Sequence, residues 1–432
     1  MKKKLAHLAI FGGTPAFKEN LHVGRPNIGD RQRYLARVND ILDRRWLTNN
    51  GIYVQELERQ IADMLGVKHC IATSNGTVAL EIAIRAAGLT GEVIVPSMTF
   101  VATAHALQWQ GITPVFCDID PRTYTLDPEC VKEMITPRTT GIIGVHLWGR
   151  PCDVEALSKI ARQHHLKLLY DAAHAFGCSF KGRMVGNFGD AEVFSFHATK
   201  FFNTVEGGAV VTNDDKLAES ARLMRNFGFA GEDNVVCIGT NGKMNEMSAA
   251  MGLTLLESLD ELVATNYHHY QQYQHDLAGI PGVNLMAYPE NERCNFQYIV
   301  VDIDPGVTSI SRDDLLAILQ AENVLARRYF YPGCHRMEPY RSYYPYAGLV
   351  LPTTERMLDR LLCLPTGTAI ESQTISDICQ IIRFVIANSS QVKDRLQELA
   401  SKRTVDEVRA KTEALGVNWL PERDVEPARP CY

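Results

Sequence analysis

The sequence predicts an α/β fold, a mostly parallel central sheet with helices on both faces, followed by a smaller α+β C-terminal domain. Strand-like apolar runs recur at His69–Thr73, Glu92–Pro96, Thr113–Asp118, Thr140–His146, Lys167–Tyr170, Glu192–Phe196 and Ala209–Thr212. Helical spacing fills most of the intervals, at Thr77–Ala87, Ala102–Gln110, Pro128–Ile135 and Asp153–His164. Strands separated by helices are joined by crossovers, and parallel strands buried on both faces read as continuous apolar runs. The character changes after about residue 280, where strand, helix and aromatic loop follow one another without that alternation.

In chain order, residues 1–30 are punctuated by Gly and Pro and read as an extended arm. Asp30 to Trp46 has helical spacing, with Asp30 as the expected N-cap. Val54–Leu65 is a second amphipathic helix. The last two strands of the alternating region are joined without a helix, which predicts an antiparallel member or a loop that serves a site. A helix follows at Lys216–Phe227, a Gly- and Asn-rich loop at Gly228–Gly239, and one long helix over Met247–Tyr273. Beyond it the expected elements are a strand at Asn295–Val301, helices at Ser311–Ala321, Pro352–Leu361 and Ser372–Ala387, and a helical stretch at Gln391–Leu415. The expected domains are residues 1–265, 266–388 and a C-terminal extension, 389–432.

The chain has 432 residues, 46% hydrophobic and 22% charged, with a net charge of −6. That balance favours neither nucleic acid nor an acidic membrane as a partner. No apolar window reaches the roughly 18 residues of a membrane span, and the N-terminal apolar run is too short for a signal peptide. A cytoplasmic location is expected. The 11 cysteines are scattered without Cys-x-x-Cys spacing, so free thiols are expected and no metal site.

Three constellations carry chemistry. Ser74-Asn75-Gly76-Thr77 follows a strand and opens a helix. Backbone N–H groups at a helix N-terminus beside Gly and hydroxyls suit a phosphate. Asp171 ends an apolar strand before Ala172-Ala173-His174-Ala175. A carboxylate at a strand's carboxyl end can pair with a protonated ring nitrogen and keep that ring electron-poor. Lys200 lies in the strand-to-strand loop after Ser195-Phe196-His197-Ala198-Thr199. A buried lysine of lowered pKa attacks aldehydes. Taken singly, each has a plain structural explanation: a helix cap, a turn aspartate, a surface lysine. Their order in one chain is that of a pyridoxal 5′-phosphate site, with Ser195 available to the phosphate and Phe100 placed to stack on the ring.

These motifs, with Val95-Pro96-Ser97-Met98-Thr99-Phe100, Glu206-Gly207-Gly208-Ala209 and Gly239-Thr240-Asn241-Gly242-Lys243-Met244-Asn245-Glu246, resemble the DegT/StrS-like sugar-nucleotide aminotransferases. The resemblance covers about residues 20–388. It implies the fold-type-I architecture and pyridoxal 5′-phosphate as cofactor. It also implies Lys200 as covalent anchor and proton shuttle, and Asp171 as partner of the pyridine nitrogen. Ser74, Asn75, Gly76, Thr77 and Ser195 would hold the phosphate, with His197 close by. Phe100 would cover the ring, and His174 would stand where many relatives have Gln, near the 3-hydroxyl. A homodimer with shared sites is implied, Asn241 reaching the partner's cofactor and Lys243 lining the same mouth.

The aromatic, basic loop Ala326–Tyr340 is the expected substrate reader, with Tyr331 and His335 as candidates. The resemblance is greatest to the branch that aminates C4 of dTDP-4-keto-6-deoxyglucose with L-glutamate as donor. A 3-ketosugar aminotransferase, a dehydratase on the same fold and a non-catalytic sensor are the alternatives. Dehydratase relatives carry His where this chain has Lys200.

Overall fold

The computed structural model describes residues 2–402. Seven strands form the large sheet: β1 (His69–Thr73), β2 (Glu92–Pro96), β3 (Thr113–Cys117), β4 (Thr139–Val145), β5 (Lys167–Asp171), β6 (Ala191–Ser195) and β7 (Gly208–Thr212). Their spatial order is β1-β7-β6-β5-β4-β2-β3. The pairs β6–β5, β5–β4, β4–β2 and β2–β3 are parallel. Strand β7 is antiparallel to both β1 and β6. It is the strand that follows the helix-free connection, and a chain that turns back without a crossover can only pair antiparallel. The carboxyl ends of β1, β2, β5 and β6 therefore lie on one edge, and β7 starts there.

The loop between β6 and β7 is fastened on all sides. Phe196 N–H donates to Gly207 O at 2.8 Å, and Thr204 N–H to Phe196 O at 2.9 Å. Phe202 stacks on Phe176 with ring centroids 4.4 Å apart. Asn27, from the N-terminal arm, donates to Phe201 O at 2.8 Å and accepts from Asn203 on its own carbonyl at 3.0 Å. Gly208 is needed at the start of β7: a Cβ there would lie 2.7 Å from the Asn75 carbonyl and the Gly76 nitrogen.

A second, antiparallel sheet consists of β8 (Val283–Leu285), β9 (Ile299–Ile303) and β10 (Leu361–Leu364), in that order. Helices Leu259–Leu277 and Ser372–Ala387 pack against each other beside it. Asp118, just past the end of β3, ties this region to the large sheet. Its buried carboxylate accepts from Thr353 N (2.9 Å), Thr354 N (2.8 Å) and Thr354 Oγ1 (2.7 Å) at the start of helix Pro352–Leu358.

Three expectations differ from the structure. The long helix expected over Met247–Tyr273 is two helices, Glu246–Leu256 and Leu259–Leu277. Ser258, at φ −111° and ψ 9°, breaks it. The first half is buried almost all round and the second along one face, so apolar spacing ran through the break unmarked. The strand expected at Asn295–Val301 begins only at Ile299, because Phe296 has φ 48° and turns the preceding segment inward. The helix expected to reach Leu361 ends at Leu358, and the apolar run after it is the missed strand β10. The C-terminal helix is described as Ser389–Lys402; the rest of the expected Gln391–Leu415 lies outside the described residues. The expected domain boundary at 265 falls inside a helix, and we propose the Glu257–Ser258 break as the seam instead.

Replacing Asp118 by Ala leaves three donors at a buried helix start without an acceptor. A loss of about 2–4 kcal/mol is expected, read as a lowered urea midpoint, with Asp118→Asn intermediate.

Candidate active site

The site is assembled at the carboxyl edge of the large sheet, where open α/β sheets place ligands. After β1, the chain turns through Ser74 and Asn75 into helix Gly76–Ala86. Asn75 caps that helix, its side-chain oxygen accepting from Val78 N at 2.9 Å. Among the described residues the N–H groups of Gly76 and Thr77 have no acceptor, as expected of the first turn of a helix. Ser195, at the end of β6, closes the other side of this turn. A Cβ on Gly76 would come within 2.8 Å of Ser195 Cβ and 3.1 Å of its hydroxyl oxygen. The result is a small cradle of amide donors and a hydroxyl, shaped for an anion.

Lys200 follows on the β6–β7 loop. Its Nζ donates to Tyr298 Oη at 3.2 Å and lies 5.8 Å from the centre of that ring. Burial of the ammonium pushes its pKa down from 10.5 to about 8, against the pull of the Asp171 charge. The residue keeps partial exposure. Burial holds the Tyr298 phenol well above its usual range, so it stays protonated.

Asp171 is buried at the tip of β5. Thr103 Oγ1 donates to its Oδ2 at 2.8 Å, and Ala173 N–H to its Oδ1 at 3.1 Å. Burial raises its carboxyl pKa, while Thr103, Ala173 and Lys200 oppose the rise. His174 is buried beside it and held well below its ordinary pKa by burial and by Lys200, so the ring is neutral. Trp148 N–H donates to His174 Nδ1 at 3.3 Å. The proton of the neutral ring then sits on Nε2, which is left as a donor. Phe330 stacks on His174 (5.5 Å, 7°), and Phe100 lies 6.3 Å from Phe330, largely exposed.

Some expected residues lie elsewhere. His197 is on the exposed side of its loop, bonded through Nδ1 to Thr199 Oγ1 at 2.8 Å and facing Glu206 at 3.5 Å. Tyr331 is taken up by Arg312 and Arg328, which lie over its ring at 5.1 and 4.2 Å. Its neighbours Tyr329 and Phe330 face the site instead. His335 is buried and neutral, its pKa pushed down to about 4 by burial and by Arg336. Ser97 Oγ bonds its Nδ1 at 2.6 Å, and Nε2–H faces the Glu355 carboxylate. With both nitrogens committed, His335 braces the loop and has nothing left for a ligand. Lys243 donates to Asn226 Oδ1 at 2.9 Å and stands 4.7 Å over Phe227, while Asn241 is exposed. They flank Gly242, whose carbonyl accepts from Ser74 N–H at 2.8 Å beside the phosphate turn.

Thr103, Trp148, Asn295, Gln297, Tyr298 and Phe330 were not anticipated. Asn295 donates to the carbonyls of His174 (2.9 Å) and Phe176 (3.1 Å), and Gln297 Oε1 accepts from Phe201 N at 3.1 Å. The alternation of amides and aromatics over Asn295-Phe296-Gln297-Tyr298 was the available signal, since a solvated strand has little need of it.

The family model for the DegT/DnrJ/EryC1/StrS aminotransferases matches residues 29–383. The chain belongs to this family. It is 38% identical over 367 residues to a dTDP-4-amino-4,6-dideoxy-D-glucose transaminase of Shigella dysenteriae, covering 84% of this chain and 99% of the relative. A GDP-perosamine synthase of Caulobacter vibrioides is 37% identical, over 74% of this chain and 86% of the relative. The crystal structure of DesI in the presence of its TDP-sugar product is 49% identical, with a TM-score of 0.88, over 91% of this chain and all of that one.

The family's cofactor, pyridoxal 5′-phosphate, fits the groups present. The Gly76–Thr77 amides and Ser195 suit its phosphate, and the buried Asp171 suits a protonated ring nitrogen. His174 Nε2–H suits a phenolic oxygen, and Lys200 suits an aldehyde.

At pH 7 roughly one Lys200 in ten is neutral, against roughly one in three thousand for an exposed lysine. A lowered pKa means the reactive amine accumulates below the ordinary lysine range. In cofactor-free protein, the rate of aldehyde capture, followed by absorbance, should climb to about pH 8 and flatten above it. A rate still climbing at pH 10 contradicts this.

Proposed function

We propose that the enzyme moves an amino group from L-glutamate to C4 of dTDP-4-keto-6-deoxy-D-glucose, giving dTDP-4-amino-4,6-dideoxyglucose. The observation that carries the reaction type is the Lys200 amine, kept basic but easily neutralised opposite the buried Asp171. The names of the Shigella dysenteriae relative and of the DesI complex support the nucleotide-linked sugar and its position.

Bound pyridoxal 5′-phosphate supplies an electron-poor ring that draws negative charge away from a carbon being deprotonated. Asp171 maintains that ring's positive charge, because a buried carboxylate gains most from an opposite charge close by. Thr103 and Ala173 fix the carboxylate and keep it a hydrogen-bond acceptor. Lys200 takes the proton from the α-carbon of glutamate in the first half-reaction and delivers one to C4 of the sugar in the second. Tyr298 limits the excursion of the free amine, and the stacked His174–Phe330 pair keeps water from one side.

A homodimer with shared sites belongs to the same reading. Phe227, Phe229, Val235, Val236 and Ile238 are all more than 40% exposed and flank Asn241 and Lys243. A clustered apolar surface of that kind supports burial against a second copy. Among the described residues no helix is long and apolar enough to cross a membrane, and we place the enzyme in the cytoplasm.

Two measurements test these points. Glutamate carrying labelled nitrogen is supplied with dTDP-, UDP- and GDP-linked ketosugars, and products are read by mass spectrometry. Label should enter the dTDP-linked 4-ketosugar, and none should enter with Lys200→Ala; transfer to a 3-ketosugar alone contradicts the C4 assignment. Sedimentation should show a dimer that the double substitution Val236→Asp, Ile238→Asp converts to monomer with weakened cofactor binding.

A further inference from the structure

A cavity of about 480 Å³ lies behind the Lys200 loop. Thr199 and Phe201, the two neighbours of Lys200, form one wall, and Tyr298, which holds the lysine amine, forms another. No lining residue is acidic, whereas Arg25 and Arg327 both line it. Neither arginine has a carboxylate partner among the described residues, although others of the C-terminal region do. Arg328, for instance, is paired with Asp313 and Arg360 with Asp302. Arg327 is held at the rim by Tyr329, 5.2 Å from the ring centre, and by backbone pairing with Cys363. Thr366 also lines the cavity, and its buried hydroxyl has no hydrogen-bond partner.

We propose that this cavity is the subsite for the carboxylates of the amino donor, with Arg327 and Arg25 as its clamp. The proposal rests on the aminotransferase reading and extends it to the donor's binding residues. Two arginines without acids and a protonated tyrosine make a site for anionic oxygens. The reaction distinguishes the two anions that could use it. In an α-amino acid the carboxylate is bonded to the carbon that loses its proton, so its charge must lie beside Lys200. In a nucleotide-linked 4-ketosugar the diphosphate is attached at C1, across the ring from the reacting carbon. A cationic cavity that shares Tyr298, the hydrogen-bond partner of the Lys200 amine, lies one side chain from that amine and suits the first. Two separate guanidiniums also match a donor with two carboxylates.

Single-turnover measurements on the holoenzyme test this. Glutamate alone is mixed with wild type, Arg327→Gln, Arg25→Gln and Arg327→Lys, and loss of the aldehyde-form absorbance of the cofactor is followed. The ketosugar half-reaction is measured separately, starting from the amine form. Binding of glutarate, which has both carboxylates but no amine, is measured by calorimetry on the same proteins. Arg327→Gln should weaken both glutamate conversion and glutarate binding by roughly thirtyfold, with partial recovery in Arg327→Lys. The ketosugar half-reaction should change by less than about threefold. Both arginines are exposed, and an unchanged cofactor affinity shows that the variants are folded. Loss confined to the ketosugar half-reaction overturns the proposal and assigns the cavity to the diphosphate. Unchanged behaviour in every assay also overturns it. A wild-type cofactor indifferent to glutamate refutes the donor reading itself, and so is distinct from a failure of the arginine clamp alone.

Discussion

A lysine amine and an aspartate carboxylate share one buried cleft, each disfavoured there by desolvation and each favoured by the other. The surrounding chain is arranged to hold both in place. Lys200 is lowered to about pKa 8 by burial, and Asp171 is raised by it. Neither shift would survive if water entered freely, since solvation would restore ordinary values. The loop fastenings at Asn27 and Gln297, the Thr103 and Ala173 bonds to Asp171, and the aromatic cover from Tyr298 and Phe330 preserve that environment.

The antiparallel strand β7 makes the arrangement possible. By inserting between β1 and β6 it brings the Ser74–Thr77 turn alongside Ser195, and Gly208 permits the close approach. An anion cradle and a lysine loop then stand on the same edge as Asp171. The C-terminal region contributes from the other side, through Asn295, Gln297, Tyr298 and Phe330. Asp118 fixes it there by bonding the start of helix Pro352–Leu358.

The large sheet was legible because its parallel strands are apolar runs ended by turn residues, and all seven lie within a residue or two of their expected bounds. Lys200, Asp171 and the phosphate turn were legible for a related reason: each is polar where an apolar strand stops. Less was legible where a side chain's partner is distant in sequence. Asn27 and Phe201 are 174 residues apart, and nothing local in either announces the other. The aromatic loop shows the same limit. Composition marked it as unusual, yet the backbone's path decides that Tyr329 and Phe330 face the site while Tyr331 is held by Arg312 and Arg328. His335 reads as a ligand-ready polar residue in that loop, but burial and two partners make it a brace.

Borohydride reduction of the holoenzyme, followed by peptide mapping, addresses the covalent role of Lys200 most directly. A single cofactor adduct on the peptide containing Lys200 is expected, lost in Lys200→Ala and formed in lower yield in Asp171→Asn. An adduct on another lysine, or undiminished labelling of Lys200→Ala, would contradict Lys200 as the anchor and the site built around it.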